Sequence, residues 1–159
     1  MIPLTLALLV GIPSPVTAAR QILHTRAPLV LRGDIDSESA VIAFGGAKPA
    51  AVVIEYRNGR WRELPQGGVR VQPLGPDPGS VQHRPVVQLA AQFSSPNRIL
   101  QAGLWVDSRP VQAKPHGTST RFTAYGATPR LRAGRHYAVA FAGAPGSAQA
   151  KIWTFRVRL

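Results

Sequence analysis

Fifteen prolines and fifteen glycines are spread along this 159-residue chain, so few stretches are long enough for a helix to propagate uninterrupted. Proline removes a backbone donor and clashes with the preceding turn, and glycine carries the largest backbone entropy cost on ordering. Breakers at this density predict an all-β fold of short strands joined by turns and exclude a helical bundle. Hydrophobic residues make up 45% of the chain, enough for a core and too much for a disordered tail. Cysteine is absent. Disulfides, thiolate zinc sites, iron–sulfur clusters and cysteine nucleophiles are therefore excluded together.

Residues 1–18 read as a signal peptide. Ile2 to Ile12 is an apolar run. Pro13 and Pro15 interrupt it, and Val16, Thr17 and Ala18 supply the small residues of a cleavage site before Ala19. The run is too short to span a bilayer, which takes about 20 apolar residues. The expected mature chain, 19–159, is periplasmic or secreted and has no transmembrane span.

Period-two alternation, the mark of half-buried strands, recurs along that chain. It appears in Ala27–Arg32, Ala40–Phe44, Ala51–Tyr56 and Val69–Leu74, and again in Pro85–Phe93 and Ile99–Asp107. Arg135–Ala142 and Lys151–Leu159 repeat it. Asn58-Gly59 between two such runs predicts a hairpin, because both residues tolerate positive φ. Pro73 to Ser80 is the clearest internal boundary, dividing N-terminal strands (19–74) from the rest of a single unit. No 3.6-residue apolar period is sustained in the mature chain.

The region 78–159 resembles bacterial immunoglobulin-like domains. The resemblance rests on Leu104-Trp105-Val106-Asp107-Ser108, on Leu131 to His136 around Gly134, and on Trp153, Phe155 and Val157 in the last strand. It implies an immunoglobulin-like antiparallel β-sandwich with Leu104, Val106, Trp153, Phe155 and Val157 facing inward. It also implies a module that binds, spaces or adheres without catalysis. The segment Gly143 to Ser147 departs from the Asp-rich turn usual there, which argues against a metal-stabilised loop.

Catalytic chemistry finds no signature. His24, His83, His116 and His136 lie apart, with no metal-ligand spacing, in contexts that read as turns or strand starts. Nucleotide, dinucleotide and nucleophile-elbow motifs are missing. Asp34, Asp36 and Glu38 alternate, and in an extended segment they would share a face able to offer oxygen ligands to calcium. A solvated acidic turn paired with nearby arginines is the preferred reading. The expectation is no catalytic residue, no metal and no cofactor.

The chain carries 19 basic and 7 acidic residues, a net charge of +12, and 16 of the basic residues are arginine. Arg57, Arg60 and Arg62 gather around the Asn58 turn with Trp61 between them, and form the first candidate site for an anionic ligand. Arg130, Arg132 and Arg135 form a second cluster. Outside the cytoplasm the expected partner is an anionic envelope polysaccharide or another envelope protein. Nucleic acid is not expected, because no recognition-helix or RNP pattern occurs. Biased composition and edge protection by arginine account equally for the charge. The leading function is a non-catalytic envelope module that binds or scaffolds. Two further classes stand beside it. One is a protein–protein subunit of an envelope or secretion assembly, pairing by strand addition. The other is a small metal-dependent hydrolase using Asp34 to Glu38.

Overall fold

The computed structural model describes residues 13–159. A helix, α1 (Pro15–Leu23), precedes three sheets. The N-terminal sheet runs in chain order: β1 (Leu29–Asp36), β2 (Ser39–Phe44), β3 (Ala50–Arg57) and β4 (Arg60–Glu63), all antiparallel. The outer sheet holds β5 (Arg70–Gly75), β7 (Gln88–Ser94), β10 (Lys114–Gly117) and β11 (Arg121–Ala127) in the order β10-β11-β7-β5. The central sheet holds β6 (Val81–Gln82), β8 (Gln101–Val106), β9 (Arg109–Val111), β12 (Gly134–Ala144) and β13 (Ser147–Val157) in the order β6-β13-β12-β8-β9.

The outer and central sheets enclose a core of β7 residues Leu89, Ala91 and Phe93, of Leu104 and Val106, and of Trp153, Phe155 and Val157. The expected inward positions are therefore inward. A four-stranded sheet facing a C-F-G type sheet, all antiparallel but for the short β6–β13 pair, is the immunoglobulin-like sandwich. The buried tryptophan here comes from the last strand. Trp153 donates its indole N–H to the Pro76 carbonyl at 3.0 Å. Trp105, on the strand that carries the core tryptophan of antibody domains, points the other way.

That direction is explained by the N-terminal sheet, which packs on the far side of the central one. Leu31, Val41, Ala43 and Val53 meet Val139, Phe141 and Ala148, with Trp105 and Ile152 at the margin. Gly33 makes the close approach feasible: a β-carbon there would stand 3.0 Å from the Trp105 ring. The opposite face of the N-terminal sheet is covered by α1, where Ala19, Val16 and Ile22 lie against Ile42, Phe44, Val52 and Ile54. The layers run helix, N-terminal sheet, central sheet, outer sheet.

Two expectations are corrected. Val16 to Ala19 is helical, and Ala19 is fully buried, although no helix was expected around the two prolines. Pro15 sits at the first helical position, where its missing N–H and fixed φ suit a helix, and His24 ends the helix in a left-handed conformation. The cleavage point expected after Ala18 falls inside this helix, and residues 1–12 lie outside the described residues. The second correction concerns Val69–Leu74, grouped by sequence with the N-terminal strands. As β5 it pairs with β7 and belongs to the sandwich, so the switch between sheets falls between Glu63 and Arg70.

β12 and β13 pair over their full eleven-residue lengths without a bulge. Their residues serve both cores: Ala138, Ala140 and Ala142 face the sandwich while Val139 and Phe141 face the N-terminal sheet. Truncation of a buried phenylalanine costs about 3–5 kcal/mol. Phe141→Ala should lower the urea midpoint of the whole chain in one transition, coincident by tryptophan fluorescence and far-UV circular dichroism. Two separate transitions would show that the layers fold independently.

Candidate functional site

The Asn58-Gly59 hairpin forms as expected. Both residues have positive φ, 54° and 82°, and Arg57 stands opposite Arg60. Alternation then sorts the cluster. Tyr56 and Trp61 share the face that looks toward α1, with ring centroids 5.3 Å apart. Trp61 is half-buried there and donates its indole N–H to the Pro13 carbonyl at 2.7 Å. Its ring packs beneath the helix and does not stand beside the arginines as a stacking platform.

Arg57, Arg60 and Arg62 lie on the other face together with Glu55. Arg62 donates to Glu55 Oε1 from Nε at 3.0 Å and from Nη2 at 2.8 Å. Arg57 approaches the same oxygen at 3.8 Å. Exposed pairs of this kind contribute well under about 1 kcal/mol to stability, yet they set the local potential. A cavity of about 520 Å³ beside the hairpin is lined by Arg57 and Arg62 and also by Asp36, Glu38, Glu55 and Glu63. Four carboxylates around two guanidinium groups leave no cationic surplus in it.

The second cluster divides. Arg130 and Arg132 are exposed. Arg135 donates from Nη2 to the Gly46 carbonyl at 3.0 Å and lies over the Tyr137 ring, 5.0 Å from its centroid. Gly46 N–H in turn donates to the Tyr137 hydroxyl at 3.2 Å. Arg135 thus ties the N-terminal sheet to the sandwich.

The acidic segment is a strand end leading into a turn. Asp34 accepts from Arg32 Nε at 3.2 Å, and Asp36 accepts from the Glu38 backbone N–H at 2.7 Å. Among the described residues, no group of three His, Cys, Asp or Glu side chains is placed to hold a metal ion. His136, expected as a cap at a strand start, bridges Asp107 Oδ2 at 2.9 Å and the Arg132 carbonyl at 2.7 Å, while Asp107 Oδ1 accepts the Tyr137 N–H. His24 ends α1 and His83 contacts the Arg158 carbonyl at 3.2 Å. His116, expected in a turn, lies on β10 and stacks on Tyr125, centroids 4.8 Å apart.

Charge is partitioned between the layers. Residues 13–64 hold seven basic and five acidic residues; residues 65–159 hold twelve basic and two acidic, Asp77 and Asp107. Ten of the twelve excess charges therefore belong to the sandwich. Sequence reasoning missed the outward positions of β5, β7 and β11, where Arg70 and Arg121 flank Ser94 across three strands. These arginines are 51 residues apart, so no local cluster announces them. The lack of carboxylates after Asp107, a stretch that contains Arg121 and Lys151, and the polar positions of each alternating run were the available signals.

No protein-family model matches the chain, and no curated protein matches it. Among solved structures, the titin Ig tandem domains A164-A165 are similar, with a TM-score of 0.39 and 8% sequence identity. The likeness covers 76% of this chain and 62% of that one.

Asp36 provides a test of the strand-end turn. The Glu38 N–H and then the Ser39 hydroxyl stabilise its carboxylate and hold its pKa below the ordinary value. A lowered folded-state pKa adds stability above the unfolded value, and that stability is lost as pH falls through the folded one. Asp36→Asn should therefore flatten the decline of the urea midpoint below about pH 4 and leave a slightly less stable protein at pH 7. An unchanged acid limb would remove the carboxylate from this role.

Proposed function

We propose that this chain is a non-catalytic, secreted or periplasmic module of a bacterial envelope that binds or scaffolds, contacting anionic polymers through its basic sandwich. The observation that carries the reading is the charge partition: twelve basic residues against two acidic ones on the part of the fold built as an immunoglobulin-like sandwich. Arginine presents a planar fork that suits carboxylate, sulfate and phosphate oxygens. A one-signed surface also raises the local concentration of polyanions and speeds their encounter. Arg57 and Arg60 of the hairpin and Arg130 and Arg132 of the second cluster are exposed and extend the basic surface. Export fits the signal-like residues 1–18. Among the described residues no helix is long and apolar enough to cross a membrane.

Strand addition by a partner protein is the second reading, and β1 favours it. It is an eight-residue sheet edge with β2 on one side only. Register shifts at both ends of β1 and the Arg32–Asp34 pair guard that edge, as edge strands that avoid pairing do. The charge therefore favours the polymer reading.

Expressed with residues 1–18 intact, the chain should be recovered from the periplasm or medium; cytoplasmic retention would overturn the export reading. The purified protein should be retained on immobilised anionic polysaccharide, pass through neutral dextran, and elute earlier as salt rises. Passage through the anionic column at low salt would overturn the polymer reading.

A further inference from the structure

One face of the sandwich combines cations and amides with no carboxylate. Val71, Phe93 and Ala124 point inward from β5, β7 and β11, so the alternate residues point out. Arg70, Ser94 and Arg121 align in one row across the three strands, and Gln72, Gln92 and Thr123 in the next. Gln149 and Lys151 of β13 line the same depression, a groove of about 490 Å³. Gln149 accepts the Val71 N–H at 2.7 Å through Oε1, which fixes its amide at the groove wall with the NH₂ group left to donate.

The chemistry of this lining is selective. No carboxylate lines the groove. Among the described residues Arg70, Arg121 and Lys151 enter no ion pair, in contrast to Arg57 and Arg62 of the hairpin. Three unneutralised cations select an anion. The glutamines add a different function, because a primary amide both donates and accepts and so matches hydroxyl groups. A phosphate, sulfate or carboxylate needs donors alone. No aromatic side chain lines the groove, so nucleobases find no stacking partner in it. Arg70 and Arg121 stand two strands apart, about 10 Å at ordinary strand spacing, the span of a short run of sugars and wider than a single charged group.

We propose that the groove formed by Arg70, Arg121, Lys151, Gln72, Gln92 and Gln149 binds an acidic polysaccharide, with the sugar's acidic groups on the cations and its hydroxyls on the amides. The proposal rests on the anionic-polymer reading above and places the contact where the outer sheet meets β13 of the central one, in a groove that none of the Asn58 hairpin arginines lines. The acidic group is a carboxylate or a sulfate, and the two are separated by the choice of probe.

The test measures affinity and its salt dependence for oligogalacturonate, a heparin-derived octasaccharide and a single-stranded oligonucleotide, by calorimetry on the full chain. Arg70→Ala/Arg121→Ala/Lys151→Ala replaces exposed side chains and should weaken saccharide binding by at least about tenfold and flatten its salt dependence. Gln72→Leu/Gln92→Leu should weaken it several-fold with the salt dependence unchanged, a result that charge alone does not produce. Arg57→Ala/Arg60→Ala, which touches only the wider basic surface, should weaken binding far less, by under about twofold. Circular dichroism and the urea midpoint establish that each variant is folded. Oligogalacturonate as the tighter saccharide assigns carboxylate, and the octasaccharide assigns sulfate. Full saccharide binding by the triple variant, with binding lost in the hairpin variant, would overturn the groove and leave the polymer reading standing. No binding of either saccharide by the parent chain would overturn both. A preference for the oligonucleotide that survives the glutamine substitutions would replace the saccharide with nucleic acid.

Discussion

The β12–β13 hairpin is buried on both faces along Ala138–Ala142, and every other layer is placed by it. Its small residues, Ala138, Ala140 and Ala142, face the sandwich, where Phe93, Trp153 and Phe155 fill the space they leave. Its larger ones, Val139 and Phe141, reach the other way into the N-terminal sheet. Close packing of this kind tolerates little change in volume on either side. A hairpin that serves two cores also couples them, because a side chain on one face cannot shift without moving the backbone that carries the other. With no cysteine in the chain, the coupling comes from packing and from the Arg135–Gly46 and Tyr137–Gly46 hydrogen bonds at one end.

Much of the fold was legible because strands announce themselves by alternation. Trp153, Phe155 and Val157 read as one inward face, and that face is the sandwich core. Asn58-Gly59 read as a turn because both residues tolerate positive φ, and both adopt it. What alternation does not reveal is the number of neighbours a sheet has. Ala138 to Ala142 is an unbroken apolar run, which is how a strand covered on both sides reads, yet the contrast of large and small residues invites a one-sided interpretation. Trp105 shows the same limit: alternation with Leu104 and Val106 puts it on the opposite face, and the partner waiting there, Gly33, lies 72 residues earlier. The helix is hidden in the sequence because proline, a breaker elsewhere in a helix, is favoured at its first position, where Pro15 stands.

The candidate site was legible only where sequence neighbours are also spatial neighbours. Arg57, Arg60 and Arg62 cluster in sequence and do meet at the hairpin, but Glu55 meets them too. A cluster of like charges read along the chain omits the opposite charges that cross-strand register brings in. Arg70 and Arg121 illustrate the reverse case, two cations made neighbours by sheet pairing through Ser94. Counting charge by sheet, once the strands are assigned, recovers what counting along the chain misses.

The uneven division of charge between the layers has a mechanical consequence. The N-terminal sheet and its helix are nearly balanced, while the sandwich carries almost all of the surplus, so the centre of charge is displaced from the centre of mass. Such a molecule has a dipole that a negatively charged surface turns before contact, and it arrives with a preferred end first. The basic sandwich would lie against the surface, and the N-terminal sheet would face away from it. On a polyanionic layer, orientation would then be a property of the whole stack, set before any one side chain made contact.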